Sequence, residues 1–189
     1  MRLPLIAKLL LPQLKRIAAS REPDFRIVKD AESITGEITR DAIYLERWWM
    51  RSRNDRMNVY LHHYIRDDDA ALHDHQYGSV SLVMAEGLRE TYQEDPPRSE
   101  SLVRYPQPGD LVFRSSRMAH RLQVLPGSDP WTLFITGPRV KETWGFWCGL
   151  RFVPWTDYTK VSQTAGRGTG TSGVGVGCGE EDQPWRREL

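Results

Sequence analysis

With 189 residues, 39% of them hydrophobic, the chain is long enough for one domain with a real core and needs neither metal nor disulfide merely to fold. Its 26 basic and 25 acidic residues leave a net charge of +1, which argues against wholesale binding of nucleic acid or another polyanion and makes any electrostatic specificity local. The only cysteines are Cys148 and Cys178, the second in a glycine-rich stretch, so no disulfide framework is expected and a reducing, cytoplasmic setting is the default.

The opening MRLPLIAKLLLPQLKRIAASR carries five basic residues and no acidic one, with Leu3, Ile6, Leu10, Leu14 and Ile17 at roughly helical spacing. It predicts a short amphipathic helix packed on its own domain, with membrane-surface contact or an oligomer interface as alternatives. Lys8 and Pro12 interrupt the apolar stretch, which falls well short of the roughly 20 residues a transmembrane helix needs, so no transmembrane segment is expected. Residues 22–57 are polar and mixed. They hold a strand-like stretch at Asp24–Val28 and the cluster LERWWMRSRNDRMN, whose Trp48 and Trp49 are expected to cover the open end of a barrel rather than to stack on nucleic-acid bases.

From Asn58 the texture changes. VYLHHYI, SVSLVMA, LRETY, SLVRY, DLVFR, HRLQVL, WTLFIT and WGFWC are short β-rich runs separated by turn formers such as EG, DPP, PQPG, PGSDP and GPR. Eight such runs without a helical segment between them predict an all-β antiparallel sandwich or small barrel. Beyond about Asp157 glycine, serine and threonine dominate, which reads as a flexible tail, and its GVGVG lacks the strand-to-helix context of a phosphate loop. The expected organisation is thus an N-terminal helix and extended segment over 1–57, a barrel over 58–157 and a tail over 158–189.

The segment ALHDHQYG sets His73 and His75 two residues apart, so on an extended strand both imidazoles face one way and Asp74 the other. Such a pair can hold one metal ion. A third imidazole is available from His120, 45 residues beyond His75, a separation that strand pairing closes.

These two segments resemble the paired motifs of the cupin superfamily. The first motif is H-x-H, three or four residues, Glu, six residues, Gly; His73, His75 and Gly87 match it. The second is Gly, five residues, Pro-x-Gly, two residues, His, three residues, Asn; Gly109 and His120 match it, with Ser115, Arg117 and Val124 at the other places. The glutamate position is Ser79 or Val80, according to the linker, so the family's carboxylate ligand is missing. The resemblance covers roughly residues 58–153 and implies a cupin-like barrel, a double-stranded β-helix, with His73, His75 and His120 as metal ligands. That set is similar to the three-histidine iron centres of cupin-type thiol and diketone dioxygenases.

Three neutral imidazoles leave the charge of a divalent ion uncompensated and up to three positions open, so an anionic or chelating substrate could bind beside dioxygen. Mononuclear Fe(II) oxygenation of a small molecule is the leading expectation, with Zn, Mn and Ni as alternative metals. Arg89 and Tyr92, after Gly87, and Arg117, beside the second motif, are the candidate catalytic residues, with Arg114, Tyr77 and Ser79 also near. Of the adjacent His62 and His63, the latter shares parity with Val59, Leu61 and Ile65 and is the better lining candidate. Two other readings stand beside this one: a metal-free sugar-nucleotide epimerase or isomerase, for which a carboxylate partner to His63 or His120 is not evident, and a non-catalytic small-molecule-binding barrel. Exposed strand edges and the helix make a homodimer plausible.

Overall fold

Period-two alternation dominates the chain after residue 24, and the computed structural model, which describes residues 2–28, 43–159 and 178, is built accordingly from strands. Helix α1 (Pro4–Ala19) precedes β1 (Phe25–Val28), β2 (Ile43–Trp49), β3 (Asn58–Tyr64), β4 (Leu72–His73), β5 (Tyr77–Val83), β6 (Leu88–Gln93) and β7 (Leu102–Arg104). Strands β8 (Leu111–Arg114), β9 (Ala119–Val124), β10 (Trp131–Arg139), β11 (Gly145–Cys148) and β12 (Arg151–Pro154) follow, and α2 (Trp155–Thr159) ends the series. Two six-stranded sheets result, one in the order β1-β2-β3-β10-β5-β8 and the other β12-β11-β4-β9-β6-β7, with every pairing antiparallel. This is the all-β architecture with an N-terminal helix that the strand pattern leads one to expect.

All eight expected runs are strands. The N-terminal segment contributes more than a covering, because β1 and β2 extend the first sheet beside β3. Trp48 therefore does not close a barrel end. It lies on the outer face of the first sheet, stacked on Trp131 at 5.7 Å, in a cluster with Leu61, Leu82 and Met84 that α1 covers with Ala7, Leu14 and Ala18.

That outer apolar face overturns the expectation for His63. Leu61 and Leu133 are register partners beneath α1, and His63 pairs with Trp131 on the same side, stacking on it at 4.2 Å. The opposite parity of β3, namely Tyr60, His62 and Tyr64, turns toward Phe134 and Thr132, so His62 is the interior histidine. The helix claims the more apolar face because it buries more area there, and the sheet's polar and aromatic face is left for the interior.

The cysteines depart from expectation as well. Cys148 and Cys178 form a disulfide, and both are buried among Ala71, Phe146 and Tyr158. A small thiol on β11 packed inward is what a single buried cysteine predicts; the return of residue 178 to meet it is a long-range event with no local signal. The rest of the expected tail from residue 160, GVGVG included, and residues 29–42 lie outside the described residues. No helix among the described residues is long and apolar enough to cross a membrane.

Candidate metal centre

Strand register builds the site. His73 on β4 is the direct partner of His120 on β9, and on its other side the partner of Phe146 on β11. Partners across an antiparallel pair project to the same face, so two imidazoles 47 positions apart meet by backbone pairing alone. Strand β4 stops at His73, and the next residues are pinned from behind: Gly145 N–H and Lys141 Nζ donate to the Asp74 carboxylate at 3.1 and 2.7 Å, and Asp74 N–H donates to Gly145 O at 3.0 Å. Asp74 thus faces away from the histidines, as the alternation predicts, and its anchoring turns His75 back toward His73.

The three rings converge. Their centroids lie 4.8–5.2 Å apart, and one ring nitrogen from each falls within 4.8 Å of the other two. His75 Nε2 and His120 Nε2 are 3.0 Å apart. Two nitrogens each about 2.1 Å from a shared ion and separated by that distance subtend an angle of about 90°, which suits an octahedral ion with neighbouring positions still open.

Behind the rings stand two carboxylates. His73 Nδ1 lies 3.2 Å from Asp68 Oδ2, and His120 Nδ1 lies 2.8 Å from Glu90 Oε1. Neither contact has hydrogen-bond alignment, but a carboxylate close behind the far nitrogen favours the Nδ1–H tautomer by its charge and leaves the Nε2 lone pair to face forward. Burial, and then the neighbouring His73, His120, Arg114 and Arg47, pushes His75 well below its ordinary pKa. Burial and Arg114 likewise lower His120 to about 4 against the opposing pull of Glu90. Both are neutral near pH 7, as ligands must be. The donor set, three imidazoles of which His75 and His120 are uncharged near pH 7, therefore fits one divalent ion.

Glu90 escaped the sequence reading, although its parity with Leu88 and Tyr92 on β6 was the available signal. It is fully buried and would be raised by burial, but Arg114, His120 and Arg104 outweigh that and hold it well below the usual carboxylate range. Arg114 donates through Nε and Nη2 at 2.6 and 3.1 Å, and Arg104 through Nε at 2.7 Å. With its oxygens committed in this way, Glu90 supports a ligand rather than acting as one. Of the two residues at the place where the resembled motif has a carboxylate, Ser79 and Val80, Ser79 is buried on the interior face opposite Arg114, its Oγ without a hydrogen-bond partner among the described residues.

The three candidate catalytic residues separate. Tyr92 is the register partner of His120 and shares its face, with Arg104 over its ring at 4.4 Å. Arg89 has the opposite parity on β6 and donates to Thr91 Oγ1 and Gln123 Oε1 instead. Arg117 is exposed on the turn between β8 and β9. Of the secondary candidates, Arg114 is locked onto Glu90 and Ser81, while Tyr77 stacks on His75 at 5.7 Å. Tyr77, Phe134, Trp144 and Phe146 form an aromatic wall around the histidines.

A further guanidinium, Arg47 on β2, was hidden in the aromatic-basic cluster. As the register partner of His62 it faces inward, half-buried, over the rings of Tyr60 at 4.9 Å and Phe25 at 5.7 Å, and its Nε donates to His62 Nε2 at 2.8 Å. His62 stacks on Phe134 at 5.0 Å, and Phe134 also meets His75. One interior thus joins the three-histidine cluster to a cation.

No family model matches this chain, and no curated protein does. Solved structures do resemble it. An oxalate decarboxylase of Bacillus subtilis is 15% identical, with a TM-score of 0.41 over 52% of this chain and 26% of that one. DMSP lyase DddQ from Ruegeria pomeroyi DSS-3 is 16% identical, with a TM-score of 0.42 over 57% of this chain and 53% of that one. A cupin superfamily protein from Desulfitobacterium hafniense DCB-2 is 13% identical, with a TM-score of 0.37 over 50% of this chain and 77% of that one. The chain thus spans about a quarter of the decarboxylase and about half of the lyase.

Proposed function

We propose that the chain is a metal-dependent enzyme in which His73, His75 and His120 hold one divalent ion, iron(II) in the leading reading, and that it oxygenates a small anionic or chelating molecule. The convergence of three imidazoles with no carboxylate among them carries this reading. Such an ion, when bound, supplies Lewis acidity, open coordination positions and, as iron(II), the electron chemistry that dioxygen needs.

The chain's own residues do the rest. Asp68 and Glu90 set a negative charge behind the far nitrogens of His73 and His120, which favours the tautomer that presents Nε2 to an ion. Phe134, Trp144 and Phe146 exclude water around the histidines, which strengthens every charge interaction there. Arg47, rather than Arg89 or Arg117, is placed to orient a substrate carboxylate, because it faces the interior while they do not. Tyr92 is the hydroxyl on the His120 face available to exchange a proton with a bound substrate.

Metal analysis of untagged protein tests the reading: near-stoichiometric iron supports it, whereas zinc at full occupancy redirects it to hydrolysis or hydration. His120→Ala is expected to abolish metal binding, and full occupancy in that variant would overturn the ligand assignment. Oxygen uptake with thiols, diketones and catechols then tests the chemistry, and Arg47→Met is expected to raise KM for the anionic substrate more than it lowers kcat.

One observation favours a second reading. Glu90 supplies the carboxylate partner for His120 that a metal-free epimerase or isomerase requires, and Tyr92 stands next to that pair. Against it, His120 Nε2 meets His75 Nε2 rather than open space. Tyr92 also sits beside His120 on the same sheet, not across a substrate from it. Negligible metal together with proton exchange at a substrate carbon would favour this alternative.

A further inference from the structure

Helix α1 has two apolar faces, and the domain covers one of them. Ala7, Leu14 and Ala18 form the buried stripe, with Leu3 and Leu11 at its edges. Leu5 remains 67% exposed and Leu9 61%, and Ile6, Leu10 and Ile17 are exposed as well. At about 100° per residue, Leu5 and Leu9 stand opposite Ala7, and Ile6, Leu10 and Ile17 continue the stripe along one flank. Five of the 13 exposed large hydrophobic side chains among the described residues are therefore on this one helix, which makes it a continuous patch rather than scattered exposure.

The charge on the helix itself is of one sign, and the exposed carboxylate that follows it, Glu22, is paired with Arg26. Arg2, Lys15 and Arg21 pair with Asp110, Asp129 and Asp24 and so fasten the segment to the domain. Lys8 and Arg16 are exposed beside Leu5 and Leu9, and the helix contains no carboxylate. At the C-terminal end Arg21 Nη2 donates to Trp49 O, which brings up the exposed loop 51–57 with Arg51, Arg53 and Arg56 against the single Asp55. The aromatic-basic stretch that the interior used only through Arg47 thus extends the basic end of the helix.

From this we infer that α1 docks on the surface of an anionic lipid bilayer, lying in the plane of the interface with Leu5, Leu9 and their neighbours inserted and Lys8, Arg16 and the arginine loop at the headgroups. An apolar stripe flanked by Lys8 and ended by Arg16 fits that partner, and the helix is too short and too charged to span. A second copy of this face is a poorer occupant. Two-fold packing of this face would gather Lys8 and Arg16 of both copies with no helix carboxylate to pair them.

Flotation of the full-length protein with phosphatidylcholine vesicles, with and without about 30 mol% phosphatidylserine, tests this. At about 0.1 M salt the anionic vesicles are expected to bind at least roughly tenfold more protein, and about 0.5 M salt should remove most of that gain. Leu5→Ser with Leu9→Ser, and separately Lys8→Glu with Arg16→Glu, should each cut binding by about tenfold or more. Circular dichroism, Tm and metal content should stay unchanged, because these side chains touch neither core nor site. Absence of binding to anionic vesicles, or binding indifferent to both double variants, overturns the inference. So does a dimer in analytical ultracentrifugation that Leu5→Ser with Leu9→Ser dissociates while vesicles are ignored, since the face would then belong to a second copy. Metal content is read on the same samples, so failure here and failure of the enzyme reading remain distinguishable.

Discussion

Glu90 Oε1 lies 2.8 Å from His120 Nδ1, and the same oxygen accepts from Arg114 Nε at 2.6 Å. One fully buried carboxylate therefore both closes a charge cluster between the sheets and sets a negative charge behind the His120 ring, the proposed ligand. Removing its charge strikes stability and metal affinity together.

Glu90→Gln leaves Arg114 and Arg104 beside a neutral amide in a buried setting. We expect a loss of about 3–5 kcal/mol, read as a fall of roughly 10 °C in the Tm of the metal-free protein. Where the protein still folds, metal affinity should fall about 10–100-fold, measured by competition with a chelating dye. An unchanged affinity would detach Glu90 from the site.

Asp68 sets a negative charge behind His73 in the same manner, its Oδ2 3.2 Å from Nδ1 without hydrogen-bond alignment. Asp68→Asn preserves shape and removes the charge. It is expected to weaken metal binding by about 10–100-fold with circular dichroism unaltered. Calorimetric titration of the metal into the apo-protein reads this directly.

Acidification tests the interior around His62. Burial, then Arg47 and Arg114, pushes this imidazole well below its ordinary value, so the folded state refuses a proton that the unfolded chain takes near pH 6.5. The unfolded state then binds more protons, and the contribution to stability is complete above about pH 6.5 and is lost as the pH falls below it. Denaturant midpoints of the metal-free protein between about pH 8 and 5 should show this fall. His62→Phe, which retains the stack on Phe134, should make the fall shallower by the share of His62 while that of the likewise lowered His75 and His120 remains, and an identical slope in both proteins would assign the acid sensitivity elsewhere.

The seating of α1 depends on Gly109, which matches the opening glycine of the second motif. Its φ is +90°, and a Cβ there would come within 2.4 Å of Pro4 N and 2.5 Å of Pro4 Cα. Gly109 O also accepts from Leu3 N–H at 2.6 Å. Gly109→Ala is expected to cost more than about 2 kcal/mol and to loosen the helix. Gly127, with a φ of +73° and nothing within 4 Å of an added Cβ, is the control and should cost only about 1 kcal/mol. Chemical denaturation of both variants separates backbone strain from the lost approach of the helix.

The eight β-runs and the amphipathic helix were legible because alternation and helical spacing are local, and a strand or helix displays its buried side in its own residues. His73, His75 and His120 were legible for a related reason: two lie two apart, and the third follows a glycine-led turn whose spacing matches the resembled motif. What the sequence could not decide was which face of a sheet would be the interior. The apolar parity of β3 suggested His63, but α1 took that face for its own packing and left His62, with Arg47 beside it, to the inside. Glu90 and Asp68 became partners of the ring nitrogens, and Cys178 returned to Cys148, only through strand order and long-range packing. Those contacts join residues distant along the chain, and no local pattern encodes which of two equally alternating faces another element will cover.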